Sequence, residues 1–245
     1  MFDTEQQLYA EVGADHFWLA GKRQLVWLLL QRYVDRNASS LTLLDLGCGA
    51  GYALGELQRW GTVIGMDSSS AALAHCRTQL DGRVPLVQGS TEALPCRDGA
   101  FSLIAALDVF EHVDDDVMAL RECWRILRPG GLLVLTVPAF QWLWGDHDEW
   151  SLHRRRYRVV DLRDKLERGG FEPLRLTYCE LLFVAPLWLI RRVKRAGIGR
   201  GQHDFIRVPV WVNRWLTRLI VSEGIVLRRW NLRCGVSIIG IARKR

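Results

Sequence analysis

A six-residue apolar run, Leu41–Leu46, breaks without a linker into Gly47-Cys48-Gly49-Ala50-Gly51. No other stretch constrains the fold as much. An apolar run this short, closed by glycines, reads as a buried strand. Three glycines at alternate positions then let the backbone turn tightly and approach a ligand with no Cβ in the way. The same rhythm continues downstream. Thr62–Met66, Pro85–Gln88, Phe101–Leu107 and Leu132–Val137 read as further strands, and Tyr52–Trp60, Ser69–Leu80 and Asp114–Leu127 as intervening helices. Serines are available to cap the second of these helices. Asp15–Asp35 has no proline and carries apolar residues at helical spacing, which predicts a helix before the first strand. Strands alternating with helices require a mostly parallel sheet covered on both faces. Right-handed crossovers make it doubly wound, with ligand sites at the carboxyl ends of the strands.

The later part departs from that rhythm. Phe140–Tyr157 is a long polar-aromatic segment and Val159–Arg168 a helix; Phe171–Tyr178 and Val236–Ala242 read as strands, with a long apolar and basic helical stretch between them. Hydrophobic residues make up 49% of the chain, enough for a sizeable core and against global disorder. The six cysteines are scattered with no C-x-x-C pair, so neither a zinc site nor a disulfide framework is expected, and a reducing cytoplasm suits them. The first residues lack a basic segment followed by an apolar one, so no signal peptide is expected. Charge is uneven: residues 1–150 hold 11 Lys/Arg against 20 Asp/Glu, and residues 151–245 hold 22 against 7. A basic second part suggests an anionic contact, such as a phosphate-bearing substrate, a membrane surface or nucleic acid, although a solvated basic face would look the same.

A second feature sits one strand-helix-strand step after the glycine loop. The strand Thr62–Met66 ends in Asp67, whose carboxylate could accept both hydroxyls of a ribose, while helical N–H groups after the loop could face a ligand carboxylate. A dinucleotide enzyme uses similar parts, but its third fingerprint glycine is Tyr52 here. A glycine turn with no ligand would leave Asp67 unexplained. The loop, read with Asp45 before it as Leu43-Leu44-Asp45-Leu46-Gly47-Cys48-Gly49-Ala50-Gly51, resembles the first motif of the class I S-adenosylmethionine (SAM)-dependent methyltransferases. Gly89-Ser90-Thr91-Glu92-Ala93-Leu94-Pro95 is similar to the segment after the family's third strand, with Ser90 where an aspartate usually meets adenine. Phe101 to Val113, containing Leu107, Asp108 and Glu111-His112-Val113, looks like its fourth motif, and Leu127-Arg128-Pro129-Gly130-Gly131 like the turn before its fifth strand.

The resemblance implies a Rossmann-like, seven-stranded, mostly parallel sheet with helices on both faces and a helical cap inserted before the last strand. It implies residues 1–40 as an N-terminal helical lid, 41–179 as the SAM-binding core, 180–233 as the cap and 234–245 as the final strand. SAM is the implied cofactor, with S-adenosylhomocysteine as product. Asp45, Gly47, Cys48, Gly49, Gly51, Asp67, Ser68, Ser90, Thr91, Leu107 and Asp108 are its expected contacts. His112 is expected at a helix start, packed under the cofactor region.

A methyl group on a sulfonium is already activated, so the protein aligns an acceptor, excludes water and supplies a base where the acceptor needs one. Pro138 to Trp150 with His153-Arg154-Arg155-Arg156-Tyr157 is similar to a pattern in a bacterial group of type 11 methyltransferases, which resemble the ubiquinone and menaquinone enzymes. His147 and His153 are candidate bases, Asp148 an orienting partner, and Arg155 and Arg156 anion clamps. Trp144 and Tyr157 complete the candidate acceptor contacts; an equally simple reading has this cluster pinning a lid to the sheet. His16-Phe17-Trp18 with Lys22-Arg23 resembles the start of the same group, where it covers the cofactor and brings Trp18 to the site; an aromatic helix face packed on the core is the equal alternative. No metal ligand set is expected.

Leu181–Ile190, followed by Arg191, Arg192, Lys194 and Arg195, is too short to cross a bilayer, which takes about twenty residues. It reads either as an interfacial helix with cations at headgroup level or as a cap over the acceptor pocket, with Pro186 expected to kink it. Val208–Trp230 is the second such helix. The expected function is methyl transfer from SAM to a small-molecule, glycan or lipid-linked acceptor, in the cytoplasm with a peripheral contact to the inner membrane face. An RNA acceptor is the alternative, and Ser90 and Ser102 in place of common aspartates suggest a third reading, a non-catalytic SAM-binding protein.

Overall fold

The computed structural model describes residues 13–34, 41–195 and 208–245. Its strands are β1 (Leu41–Leu46), β2 (Gly61–Asp67), β3 (Leu86–Gln88), β4 (Phe101–Leu107), β5 (Leu127–Pro138), β6 (Phe171–Cys179) and β7 (Ser237–Lys244). They form one sheet in the order β3-β2-β1-β4-β5-β7-β6. Neighbours from β3 to β5 pair in parallel, and β7 runs antiparallel to both β5 and β6. The chain winds outward from β1 to β3, then crosses back to begin β4 on the other side of β1. A crevice opens at such a reversal, outside the carboxyl ends of β1 and β4.

The helices are α1 (Phe17–Leu30), α2 (Leu54–Leu57), α3 (Ser70–Gln79), α4 (Asp116–Ile126), α5 (Asp146–Trp150), α6 (Val159–Arg168), α7 (Val184–Arg195) and α8 (Val210–Leu227). Side-chain caps start three of them. His16 accepts from the Trp18 amide, Ser69 from Ala72 and Asp115 from Met118. Alternation along the strands divides the core into two faces. On one, Ile104 and Ala106 meet Leu120, Cys123 and Ile126 of α4 and Leu162 and Leu166 of α6. On the other, Leu103 and Ala105 meet Leu25 and Leu29 of α1, Leu73 of α3 and Ile220 and Leu227 of α8. The pair α1 and α8 packs closely because Gly21 and Gly224 present no Cβ to Ile220 and Leu28. α8 is therefore part of the helical layer on this face of the sheet as well as the last helix before β7.

Several boundaries differ from the sequence reading, each for a local reason. α1 ends at Leu30, and Asp35 lies outside the described residues. The expected helix Tyr52–Trp60 is a single α turn. Three-residue hydrogen bonds, Leu54 N to Gly51 O and Trp60 N to Leu57 O, close it at either end around the buried Leu54 and Leu57. Pro129-Gly130-Gly131 is not a turn before β5 but a bulge inside it, where the register jumps from Phe101↔Leu127 to Leu103↔Leu132. Pro186 falls in the first turn of α7, where its missing N–H is tolerated. Among the described residues no helix is long and apolar enough to cross a membrane.

Candidate functional site

A cavity of about 550 Å³ opens at the crevice between β1 and β4. It is lined by Asp45 near the end of β1, by Gly47, Cys48 and Gly49 of the loop that follows, by Asp67 and Ser68 at the end of β2, by Ser90 and Thr91 after β3, and by Leu107 and Asp108 at the end of β4. Ten of the eleven expected cofactor contacts thus line one space. Gly51 does not; it turns at φ +85° against the Cys76 sulfur. Both Asp67 oxygens accept a backbone N–H, Oδ2 from Gly49 at 2.8 Å and Oδ1 from Ser69 at 2.9 Å. A carboxylate has lone pairs beyond those two, so Asp67 braces the loop and retains acceptor capacity toward the cavity.

Asp45 is 3% exposed, and its Oδ2 has no hydrogen-bond partner among the described residues. Burial, reinforced by Cys76 and Asp67, pushes its carboxyl up to about 8. A buried carboxyl oxygen facing a cavity is a place for an ammonium group. Arg23 of α1 lines the same cavity and bonds to the Ala14 carbonyl at 2.8 Å. The residues fit SAM: a buried carboxyl that ionises when its ammonium sits beside it, a guanidinium for its carboxylate, Asp67 for its ribose hydroxyls, and a volume within the usual range for such ligands, about 300–1,000 Å³.

A second cavity of about 70 Å³ adjoins the first and shares Leu19, Lys22 and Asp108 with it. Its remaining lining includes Trp18, Glu111, His147, His153, Arg156, Leu187 and Arg191. Lys22 and Asp108 form an ion pair of 2.5 Å at the shared wall. Burial works against the Lys22 ammonium, but Asp108 and Glu180 outweigh it and hold its pKa up. Asp108 also accepts from the Thr136 hydroxyl at 2.9 Å, and burial loses there to Lys22, so its carboxyl is held down.

His153 of this second space is held from behind. Asp148 Oδ1 lies 2.9 Å from His153 Nδ1, and Asp148 is fully buried. Arg156 grips the same carboxylate through Nε at 2.7 Å and Nη2 at 3.0 Å, the Gly145 amide donates at 2.8 Å, and Arg191 stands at 3.5 Å. Burial would raise Asp148, and the His153 bond and these guanidiniums bring it well below the usual carboxylate range. Asp148 therefore stays ionised and orients His153. His112 lies in the turn after β4, ahead of α4, and lines the larger cavity. Burial and then His153 push it down to about 4.

Of the expected acceptor contacts, Trp18 and Arg156 line the second cavity, and Trp144, Arg155 and Tyr157 line neither. Arg155 donates to the carbonyls of Val113 and Asp114 and pairs with Asp116 at 3.1 Å. The buried Tyr157 hydroxyl donates to Phe110 O and Asp116, each at 2.9 Å. Arg155 and Tyr157 thus pin the segment to the loop after β4. Glu111, Thr136, Leu187 and Arg191 were missed. Thr136 and Arg191 carry no local signal because folding alone brings β5 and α7 to the site; Glu111 could have been found beside His112.

α7 presents two unlike faces. Leu187 and Arg191, 6% and 5% exposed, line the second cavity, whereas Trp188 and Leu189 are 45% and 57% exposed. Arg192 stacks 5.6 Å from the Trp188 ring. On α8, Trp211 and Trp215 are also largely in solvent.

A family model described as a methyltransferase domain matches residues 44–135, spanning the strands that form the larger cavity. A ubiquinone biosynthesis O-methyltransferase of Nitrobacter winogradskyi is 34% identical over 215 residues, covering 79% of this chain and 75% of that protein. A "probable S-adenosylmethionine-dependent methyltransferase" of Mycolicibacterium smegmatis is 28% identical over 174 residues, covering 69% and 65%. The chain spans 65%, 38% and 47% of the first curated relatives it matches. A solved SAM-dependent methyltransferase from Archaeoglobus fulgidus shares the fold, with TM-score 0.56 at 20% identity over 91% of this chain and 94% of that one. With the strand order, the glycine loop and a relative matched over most of both chains, the protein belongs to the SAM-dependent methyltransferase family.

Proposed function

We propose that the protein transfers a methyl group from SAM to an oxygen or nitrogen of an amphiphilic, lipid-linked acceptor. The observation that carries this is the small cavity beside the large one, sharing the Lys22–Asp108 wall and furnished with His147 and His153. SAM, when bound, supplies a methyl group on a positively charged sulfur. Asp45, Arg23 and Asp67 hold its ammonium, carboxylate and ribose in the larger cavity. The acceptor enters the smaller one, and a histidine of the His147/His153 pair takes its proton as the acceptor atom attacks the methyl group. Asp148 acts as a positioning residue for His153. Transfer leaves neutral S-adenosylhomocysteine and a methylated acceptor.

The acceptor class follows from α7. One face lines the smaller cavity, and the other exposes Trp188 and Leu189 beside Arg192, the composition of an interfacial helix. Residues 180–233 hold 11 Lys/Arg against 3 Asp/Glu, which suits an anionic membrane surface. The test is methyl-labelled SAM incubated with the lipid and the aqueous fractions of a cell extract. Label in the lipid fraction supports the proposal. Label in the aqueous fraction alone refutes the acceptor class, and label in neither refutes methyl transfer to either class of acceptor.

A further inference from the structure

Three side chains with metal-ligating atoms converge where the two cavities meet. Glu111 and His112 come from the turn after β4, and His153 from the loop after α5; their donor atoms all lie within 4.8 Å of one another. Glu111 is 1% exposed, and the two imidazole rings stand edge to face with centroids 4.7 Å apart. Each ring is oriented by a bond outside the cluster. Asp148 accepts from His153 Nδ1, which leaves Nε2 as the ligand atom, and His112 bonds to the Ser151 backbone. A carboxylate behind a histidine that fixes tautomer and ring angle is the usual support of a metal-binding imidazole.

We propose that Glu111, His112 and His153 bind one divalent first-row transition ion. Two imidazoles and one carboxylate favour Mn²⁺, Fe²⁺, Co²⁺ or Zn²⁺ over the all-oxygen sites of Mg²⁺ and Ca²⁺. Bonds of about 2.0–2.2 Å require the three donor atoms to draw inward on loading. Three protein ligands leave coordination positions open toward the space shared by both cavities, where an acceptor hydroxyl can bind and become more acidic. His153 then holds the ion and His147 remains to take the proton. That last role rests on the acceptor site proposed above; ion binding itself does not.

The experiment uses the full chain, stripped with a chelator and titrated with Co²⁺ by visible absorption and with Mn²⁺ by calorimetry. One ion per chain is expected, with d–d bands of a nitrogen- and oxygen-ligated site. His153→Gln and the near-isosteric Glu111→Gln should each weaken binding at least tenfold, with circular dichroism recorded to verify folding. The wild-type titration stands even if a variant fails to fold. No stoichiometric binding by wild type at about 1 mM free ion, or unchanged affinity in a folded His153→Gln, overturns the proposal. SAM binding to the stripped and to the metal-loaded protein is measured separately. Its absence from both the stripped and the metal-loaded protein would refute the proposed function and leave the metal result standing.

Discussion

Replacing Gly47 with alanine isolates what the glycine loop contributes. Gly47 adopts φ +69°, and a Cβ there would lie 2.6 Å from Val109 Cγ2. Left-handed backbone costs an L-residue about 1–2 kcal/mol, and overpacking a filled site costs about 1–3 kcal/mol. Stiffening the unfolded chain returns about 0.4–1 kcal/mol. The net expectation for Gly47→Ala is a loss of about 1–4 kcal/mol. Gly49 provides the control: its φ is +50°, but a Cβ there would meet no atom within 4 Å, so Gly49→Ala bears only the backbone cost. Urea unfolding of the ligand-free protein, followed by fluorescence of its 11 tryptophans, measures both. Val109→Ala should relieve the steric share in the Gly47→Ala background, giving a coupling energy of about 1–3 kcal/mol in a double-mutant cycle. Equal losses at Gly47 and Gly49 with no coupling to Val109 would refute the reasoning.

Two further perturbations probe the charges. Asp148→Asn leaves the guanidiniums of Arg156 and Arg191, whose side chains are 3% and 5% exposed, without their buried anion. The expected loss is about 3–5 kcal/mol, a drop in Tm of roughly 6–20 °C by differential scanning calorimetry; an unchanged Tm would remove Asp148 as the anchor of the second cavity. Asp45 has a folded pKa of about 8 against an ordinary 3.8, so the folded protein holds its proton longer than the unfolded chain. Its contribution to stability is full below the ordinary value and declines as pH rises toward 8, by at most about 1.4 kcal/mol per pH unit. Ligand-free Asp45→Asn should therefore gain stability relative to wild type across that window, while binding SAM more weakly. A pH-independent difference between the two would contradict this environment for Asp45.

The sheet was legible because its evidence is local. β4 and α6 begin and end where the apolar pattern of Phe101–Leu107 and Val159–Arg168 does. The glycine loop and Asp67 were legible because backbone geometry at strand ends demands specific residues. α2 was overread because apolar spacing persists through turns that close three residues back. The arginines were the main surprise. Arg154, Arg155 and Arg156 are consecutive, yet Arg154 bonds to His112 O, Arg155 to the Val113 and Asp114 carbonyls and Arg156 to Asp148. Which of three adjacent guanidiniums faces a cavity depends on partners 8 to 42 residues away, and no local pattern carries that. The second cavity was only half visible for the same reason: Leu187 and Arg191 arrive on α7, whose sequence advertises its exposed face instead.

The crevice between β1 and β4 is expected to hold SAM through Asp67 and the loop it braces. Titration calorimetry with S-adenosylhomocysteine, on wild type and Asp67→Ala, tests it most directly. One ligand should bind per wild-type chain. Loss of charge-assisted hydrogen bonds of about 1.5–3 kcal/mol should weaken the variant roughly ten- to a hundredfold. Saturable binding with equal affinity in both proteins, or none to wild type, would contradict it.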